Sequence, residues 1–396
     1  MRILNVTQSY APFFEFGGPP AKVKALAEGM ARRGHDVTVL TADWGLEKRM
    51  AGVPGAPRVE ASPFGRRTRV NGVTAVYLPN WAHVRALSWN PALGRYLRAR
   101  FGEFDVAHLF GLYDLLGPRV AQEARRRKIP YVVEPIGMFL PIVRNVGMKK
   151  AYHALYGRRM LEGAEAIVVT AEQERQEVLS GGFSQKKVIL RRNGVEAPES
   201  LPERGNFRRS QGIPSGQLSI LFLGRLSQKK SPDLLLRAFA GLPDASAHLT
   251  YVGPDESGMR ERLQVGARDL KVGARVHFVE ALEGERKWEA YRDADVFVLP
   301  SQNENFGNTA AEAIVAGTPV IVTEKCGIAP LLGEAGLVVK HDEQALRAAL
   351  SAVLHDAALR ERMQTACTVT AAHLGWEEPL EELERLYSKL ATKGSA

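Results

Sequence analysis

Two successive series of short apolar segments alternating with helically spaced ones, split by one aperiodic stretch, limit what this 396-residue chain can fold into. The first series opens with Arg2-Ile3-Leu4-Asn5-Val6, a strand-like run leading into a loop that ends Gly17-Gly18-Pro19-Pro20. Val23, Leu26, Ala27 and Met30 then recur at the spacing of one helix face. That helix is expected to stop at Gly34. Asp36-Val37-Thr38-Val39-Leu40 reads as a second buried strand, completing a β-α-β unit with parallel strands. Further strands are predicted at Val73–Leu78, Asp105–Leu109, Tyr131–Val133, Ala166–Thr170 and Val188–Arg191. Residues 197–216 lack apolar periodicity and carry Pro198, Pro202 and Pro214, which reads as an inter-domain connection. A second series then predicts strands at Leu218–Leu223, Ala247–Val252, Val276–Val279, Val296–Leu299 and Pro319–Thr323, with helical stretches near 232–241, 257–267, 283–292 and 309–316. The expected fold is α/β, with two doubly wound domains whose sheets face each other across a cleft.

The charge is divided along the same line. Residues 1–200 hold 30 Lys and Arg against 18 Asp and Glu, whereas residues 201–396 hold 23 against 26. Clusters such as Arg66-Arg67, Arg125-Arg126-Arg127-Lys128, Lys149-Lys150 and Arg158-Arg159 suit either a solvated basic face or a surface drawn to anionic lipid. Nucleic acid is not expected as a partner, because these clusters are not interleaved with aromatics. Cys326 and Cys367 lack metal-type spacing and read as reduced thiols. The polar opening is too short for a signal peptide and no run approaches a membrane span, so a cytoplasmic protein is expected.

The most informative stretch runs from Leu299-Pro300-Ser301 through Gln302-Asn303-Glu304-Asn305-Phe306-Gly307-Asn308-Thr309 to Ala310-Ala311-Glu312. A strand ends, a turn with Gly307 lets backbone approach a ligand, and a helix begins with amides free for phosphate or hydroxyl oxygens. Glu304 on the turn and Glu312 in the helix are placed to accept hydrogen bonds from vicinal hydroxyls. Thr309 with Glu312 also fits a capping box, so a local structural role for Glu312 stays open. In the first turn of this half, Gly224-Arg225-Leu226-Ser227-Gln228-Lys229-Lys230 sets cations directly after a buried strand. Arg225 and Lys230 there suit a diphosphate whose negative charge grows as its bond to a sugar breaks. Either could equally be a surface charge.

Taken together these motifs resemble glycosyltransferase family 4, retaining enzymes of the GT-B fold with two Rossmann-like domains. The resemblance covers nearly the whole chain. It rests on Gly17-Gly18-Pro19, Arg192-Asn193-Gly194-Val195-Glu196, Gly224-Arg225-Leu226 with Lys230, Val276-His277-Phe278, Pro300-Ser301 before Glu304 and Glu312, and Ala316-Gly317-Thr318-Pro319-Val320. It implies an acceptor-binding domain at 1–198, a nucleotide-sugar donor domain at 199–375, and a helix at 376–396 crossing back to the first. Arg225 and Lys230 would hold the donor diphosphate, Glu312 the ribose, and Glu304 the sugar. Asn305, Phe306, Gly307 and Asn308 would shape that site, Gly17 and Gly18 would approach the diphosphate, and Phe278 would lie near the base. Glu304, Arg225 and Lys230 are the expected catalytic group.

Two departures bear on mechanism. Val133-Glu134-Pro135-Ile136-Gly137-Met138 resembles a family segment that often reads His-Gly-Met, so Ile136 stands where a histidine is common. In Asp105-Val106-Ala107-His108-Leu109-Phe110-Gly111, His108 matches the first of two frequent histidines and Phe110 replaces the second. His108 is the one acceptor-side candidate, although a packed strand residue is the commoner meaning. The family's front-face mechanism softens this loss, because the departing phosphate oxygen can take the acceptor's proton. Asp293-Ala294-Asp295 imitates a metal motif of another fold, but leads into a strand rather than following one; no metal or cofactor is expected.

The resulting expectation is a retaining, metal-independent hexosyltransferase using a UDP-sugar, or second a GDP-sugar, on a lipid-linked or polysaccharide acceptor in cell-envelope glycan synthesis. Its basic first domain would hold it peripherally on the inner face of the membrane. A nucleotide-sugar epimerase would need acid and base groups in the cleft, and a non-catalytic nucleotide-sugar binder would fit the replaced histidines. A nicotinamide dehydrogenase is disfavoured, since neither first turn carries Gly-x-Gly-x-x-Gly.

Overall fold

The computed structural model describes residues 1–51, 53, 55–84, 87–140, 146–243 and 246–394. The chain divides into two compact units, Met1–Asn193 with Trp376–Ala396, and Gly194–Gly375. The first therefore ends at Asn193 and not at residue 198. The reason is local: the Val195 amide donates to the Leu374 carbonyl at 2.8 Å, and the Val195 side chain packs in the core of the second unit.

The first unit contains β1 (Arg2–Thr7), β2 (Asp36–Ala42), β3 (Glu60–Ser62), β4 (Gly65–Val70), β5 (Val73–Leu78), β6 (Ala82–Val84), β7 (Leu87–Trp89), β8 (Val106–Phe110), β9 (Tyr131–Glu134), β10 (Ala166–Val169) and β11 (Val188–Leu190). Nine of these form one sheet in the order β11-β10-β9-β8-β1-β2-β5-β4-β3. Its centre is parallel, and β8, β9 and β10 are buried at every residue, as strands covered on both faces by helices must be. β4 and β3 add an antiparallel edge, and β6 and β7 pair separately. None of these four was expected. β4, Gly-Arg-Arg-Thr-Arg-Val between β5 and the edge strand β3, is mostly polar and charged, so it lacks the apolar run by which the central strands are recognised.

The helix Glu377–Gly394 packs Leu380, Leu383, Tyr387 and Leu390 into the same cluster as Val23, Leu26, Ala27 and Met30. Here Gly29 lets the helices touch, because a Cβ at that position would lie 2.5 Å from a Leu380 methyl.

The second unit is a six-stranded parallel sheet of β12 (Leu218–Leu223), β13 (Ala247–Val252), β14 (Val276–Val279), β15 (Val296–Leu299), β16 (Val320–Thr323) and β17 (Gly336–Val339), ordered β14-β13-β12-β15-β16-β17. The order reverses between β12 and β15, and ligands of such sheets bind at the carboxyl ends flanking that point. Residues 197–216 are only partly a connection. Within them, helix Asn206–Ser210 buries Phe207 in the second core, and Arg208 bonds the Asp293 carbonyl at 2.7 Å and pairs with Asp295.

Candidate functional site

In the second unit the loops after β12 and β15 are joined at the switch point. The Gln302 amide donates to the Lys229 carbonyl at 3.0 Å, and the Lys230 ammonium forms an ion pair with the Glu304 carboxylate. Both side chains remain about one-fifth open to solvent. A third loop, after β16, braces the turn: the Glu304 amide donates to the Lys325 carbonyl at 2.9 Å and the Gly327 amide to the Glu304 carbonyl at 3.0 Å. Glu304 is thereby held by backbone on both sides, which fixes where its carboxylate can reach.

Gly307 precedes helix Asn308–Val315 with φ of 105°, a left-handed conformation that a side chain resists, and a Cβ there would crowd Ile328 at 3.0 Å. No side chain caps the helix N-terminus, a position suited to anionic or hydroxyl oxygens. Phe306 is buried, with its ring in the core and its carbonyl accepting from the Ile328 amide at 2.6 Å. What it presents to a ligand is backbone. Asn305 and Asn308 flank it on the same turn.

Glu312 is not part of a capping box. The helix cap is Gly307, with Thr309 already inside the helix, so no Thr side chain sits where a capping box requires it. Its carboxylate instead accepts from the Tyr291 hydroxyl at 2.7 Å and pairs with Lys287 at 3.0 Å, both on helix Gly284–Asp293. Sequence reading missed those two partners. They stand four residues apart and so share a helix face, but nothing in the sequence says which carboxylate they meet.

Arg225 lies on the turn after β12, half-exposed, with Glu256 at 4.0 Å. Gly253 after β13 approaches that turn so closely that a Cβ would sit 2.1 Å from the Gly224 carbonyl oxygen. Phe278 on β14 stacks on Tyr251 with ring centres 5.5 Å apart. Glu280, two residues past Phe278, is turned outward to Arg260 at 2.5 Å. Asp293 accepts from the Gly205 amide at 2.5 Å and the Arg208 amide at 3.0 Å, and Asp295 from the Ser219 amide at 2.7 Å. Both acids have structural partners. Among the described residues no group of three or more His, Cys, Asp or Glu side chains is placed to hold a metal ion.

Known proteins match in the same two halves. Residues 203–368 match the family described as glycosyl transferases group 1, and residues 17–194 the glycosyl transferase 4-like domain. An uncharacterised glycosyltransferase of Methanocaldococcus jannaschii is 29% identical over 348 residues, covering 84% of this chain and 83% of that one. A D-inositol 3-phosphate glycosyltransferase of Actinosynnema mirum is 30% identical over 401 residues, covering 94% of this chain and 92% of its own. The chain belongs to the GT-B glycosyltransferases. It is a nucleotide-sugar-dependent sugar transferase. Another relative, from Thermomonospora curvata, is matched over only 60% of its length. Among solved structures, Anabaena HepE in complex with UDP and glucose superposes with a TM-score of 0.74 at 15% identity, covering 98% of this chain and 100% of that one. That likeness shows the fold.

In the first unit of this glycosyltransferase, Gly17 has φ of 99° and caps helix Gly18–Arg32 at its N-terminus. His108 is fully enclosed. Its Nδ1 lies 2.6 Å from the Tyr387 hydroxyl, its Nε2 3.4 Å from Glu134, and its ring stacks on Phe110 at 3.8 Å. Burial pushes the imidazole down to about 4, which keeps it neutral at physiological pH. Glu134, also fully buried, pairs with Lys22 and with Arg191 at 2.7 Å. Burial alone would raise its carboxyl, but the Arg191 and Lys22 charges outweigh that and hold it well below the usual range. Ile136 adopts φ of 55°, a strained choice for a β-branched residue, in the turn where the resembled family has histidine. No helix of the described residues is long and apolar enough to cross a membrane.

Proposed function

We propose that this enzyme is a retaining hexosyltransferase of family 4. It would move a sugar from a UDP-sugar, or second a GDP-sugar, to a hydroxyl of a lipid-linked or polysaccharide acceptor in cell-envelope glycan synthesis. The second unit would take the donor and the first the acceptor. The observation that carries this reading is the Lys230–Glu304 pair at the carboxyl ends of β12 and β15, the loop after β15 leading to helix Asn308–Val315, whose N-terminus no side chain caps. A diphosphate and its sugar need a cation and an acid side by side, and this pair supplies them.

In this reading Lys230 and Arg225 stabilise the diphosphate as the glycosidic bond breaks, and the Lys230 ammonium exchanges Glu304 for phosphate when donor binds. Glu304 then turns to the sugar hydroxyls. Glu312 meets the ribose, its orientation fixed by Tyr291 and Lys287, while Phe278 lies near the base. Gly17 and Gly18 offer backbone amides to the diphosphate. Ile136 cannot serve as a base, and His108 is enclosed and neutral, so the departing phosphate oxygen takes the acceptor's proton. Positioning and charge stabilisation supply most of the rate. Metal independence is supported by Asp293 and Asp295 being held by backbone amides and Arg208. The 12-charge excess of cations in residues 1–200 supports a peripheral hold on the inner, anionic membrane face.

Thermal-shift screening against a panel of nucleotide sugars tests the donor, since a ligand of the native state raises the melting temperature. A rise of several degrees with a UDP-sugar, absent with inorganic phosphate, is expected. No response to any nucleotide sugar sinks the reading, and isomerisation of free UDP-sugar without acceptor would replace it with an epimerase.

A further inference from the structure

The first unit holds a cavity of about 840 Å³ among the helices Ala92–Arg100, Leu116–Arg127 and Arg158–Gly163. Arg98, Arg119, Arg125 and Arg159 line it, and no Asp or Glu does. None of the four pairs with a carboxylate among the described residues. Arg125 donates to the Tyr131 hydroxyl at 3.2 Å and the Arg159 carbonyl at 3.3 Å, and Arg119 to the Gln122 amide oxygen at 3.4 Å. Nearby acids are engaged elsewhere: Glu123 holds Arg126 and Arg127, and Glu162 holds Arg158. Four guanidinium groups around one concavity repel each other, and no acidic side chain among the described residues supplies a counter-charge in the lining.

Two further features point the same way. The first turn of helix Ala92–Arg100 contributes to the lining without a capping side chain, so one positive helix end adds to the guanidinium charge. Trp89 and Tyr156 also line the cavity and are 60% and 45% exposed, which leaves aromatic surface for a sugar or an apolar chain. Tyr156 belongs to a single π-helical turn, His153–Gly157, a local distortion found often at binding sites. The cavity also borders the ligand-binding edge of the sheet. Ser88 accepts from Gln8, just past β1, at 2.8 Å, and Asn90 donates to the Leu78 carbonyl at the end of β5 at 3.2 Å.

We infer that this arginine-lined cavity is a subsite for a phosphate or pyrophosphate group carried by the acceptor. This rests on the proposal that the first unit takes the acceptor. Guanidinium forks match phosphate oxygens, and the volume accommodates a phosphorylated sugar headgroup. The same chemistry comes from a lipid-borne phosphate or from a soluble phosphorylated sugar.

The test uses the full chain, with Arg98→Gln/Arg159→Gln as the variant and Arg66→Gln/Arg67→Gln as a charge-matched control. The control residues lie on β4, where their guanidinium groups pair with Glu47 and Glu60. Three probes are titrated: inorganic pyrophosphate, glucose 6-phosphate, and phosphatidylcholine vesicles with and without phosphatidic acid. UDP binding is measured in parallel. The cavity variant is expected to lose about tenfold in affinity for at least one probe, with the control and UDP binding within about twofold of wild type. Loss confined to phosphatidic acid vesicles assigns a lipid-borne phosphate; loss with glucose 6-phosphate assigns a soluble one. Equal losses in variant and control, or no difference from wild type for any probe, overturn the inference. Absence of UDP binding in every protein, wild type included, would instead strike the donor assignment.

Discussion

The two units each bring acids against cations, but in opposite surroundings. Around Glu134 in the first, Lys22, Arg191 and His108 are all sealed from water, none more than 4% exposed. Lys230 and Glu304 in the second stay partly open. A sealed ion pair cannot exchange partners without opening the core, so the Glu134 cluster is scaffold. An open pair can give up its partner for a ligand oxygen at little cost. The same chemistry thus serves stability in one unit and recognition in the other, and solvent access decides which.

The largest effect should come from breaking the sealed cluster. Glu134→Ala leaves Lys22 and Arg191 uncompensated in the core and is expected to cost about 3–5 kcal/mol of stability, read from the denaturation midpoint. A shift below about 1 kcal/mol would mean that water reaches the cluster. For the open pair the expectation inverts. Glu304→Ala should lower kcat by roughly 10²–10³-fold, the loss of a group acting on the transition state, while the melting temperature stays within a few degrees. Lys230→Ala should chiefly weaken donor binding. Normal transfer kinetics in both variants would remove the pair from the mechanism.

A pH effect sharpens the contrast further. Burial raises the Asp114 carboxyl to about 6, against the opposing pull of the Gly117 amide that donates to Oδ1 at 2.7 Å. The folded chain therefore holds this proton more tightly than the unfolded one. The stabilisation is complete below about pH 4 and lost as pH rises through about 6. Asp114→Asn keeps an oxygen for the Gly117 amide and has no charge to bury. Its stability advantage over wild type should be absent at pH 4 and reach about 2–3 kcal/mol at pH 7.5. A pH-independent difference would show that Asp114 is hydrated. The smallest change is expected from Tyr291→Phe, which removes one hydrogen bond to Glu312. A rise of about fivefold in KM for the nucleotide sugar, with kcat held, is the expected outcome.

Much of the second unit was legible because its parallel strands are continuous apolar runs; β12, β13, β14 and β15 fall where periodicity places them. β17 escaped because Gly336-Leu337-Val338-Val339 is short and only half-buried. The candidate site was readable as a set of types at strand ends: Arg225, Lys230, Glu304 and Glu312 all follow a buried strand. Pairings were not readable. That Lys230 meets Glu304, 74 residues away, or that Tyr291 meets Glu312, depends on how loops from separate strands converge. Glu134 was quoted within a motif and yet passed over, since one carboxylate beside Pro135 carries no mark of burial. Its partners Lys22 and Arg191 come from distant helix and strand-end positions.

The docking of Glu377–Gly394 onto Gly29 has a consequence for biosynthesis. A ribosome makes the first unit's sheet early, then the whole second unit, and only afterwards the helix that covers Val23, Ala27 and Met30. Throughout that interval the nascent chain carries an uncovered greasy flank, a target for chaperones, while the later-made unit is free to finish folding before the earlier one.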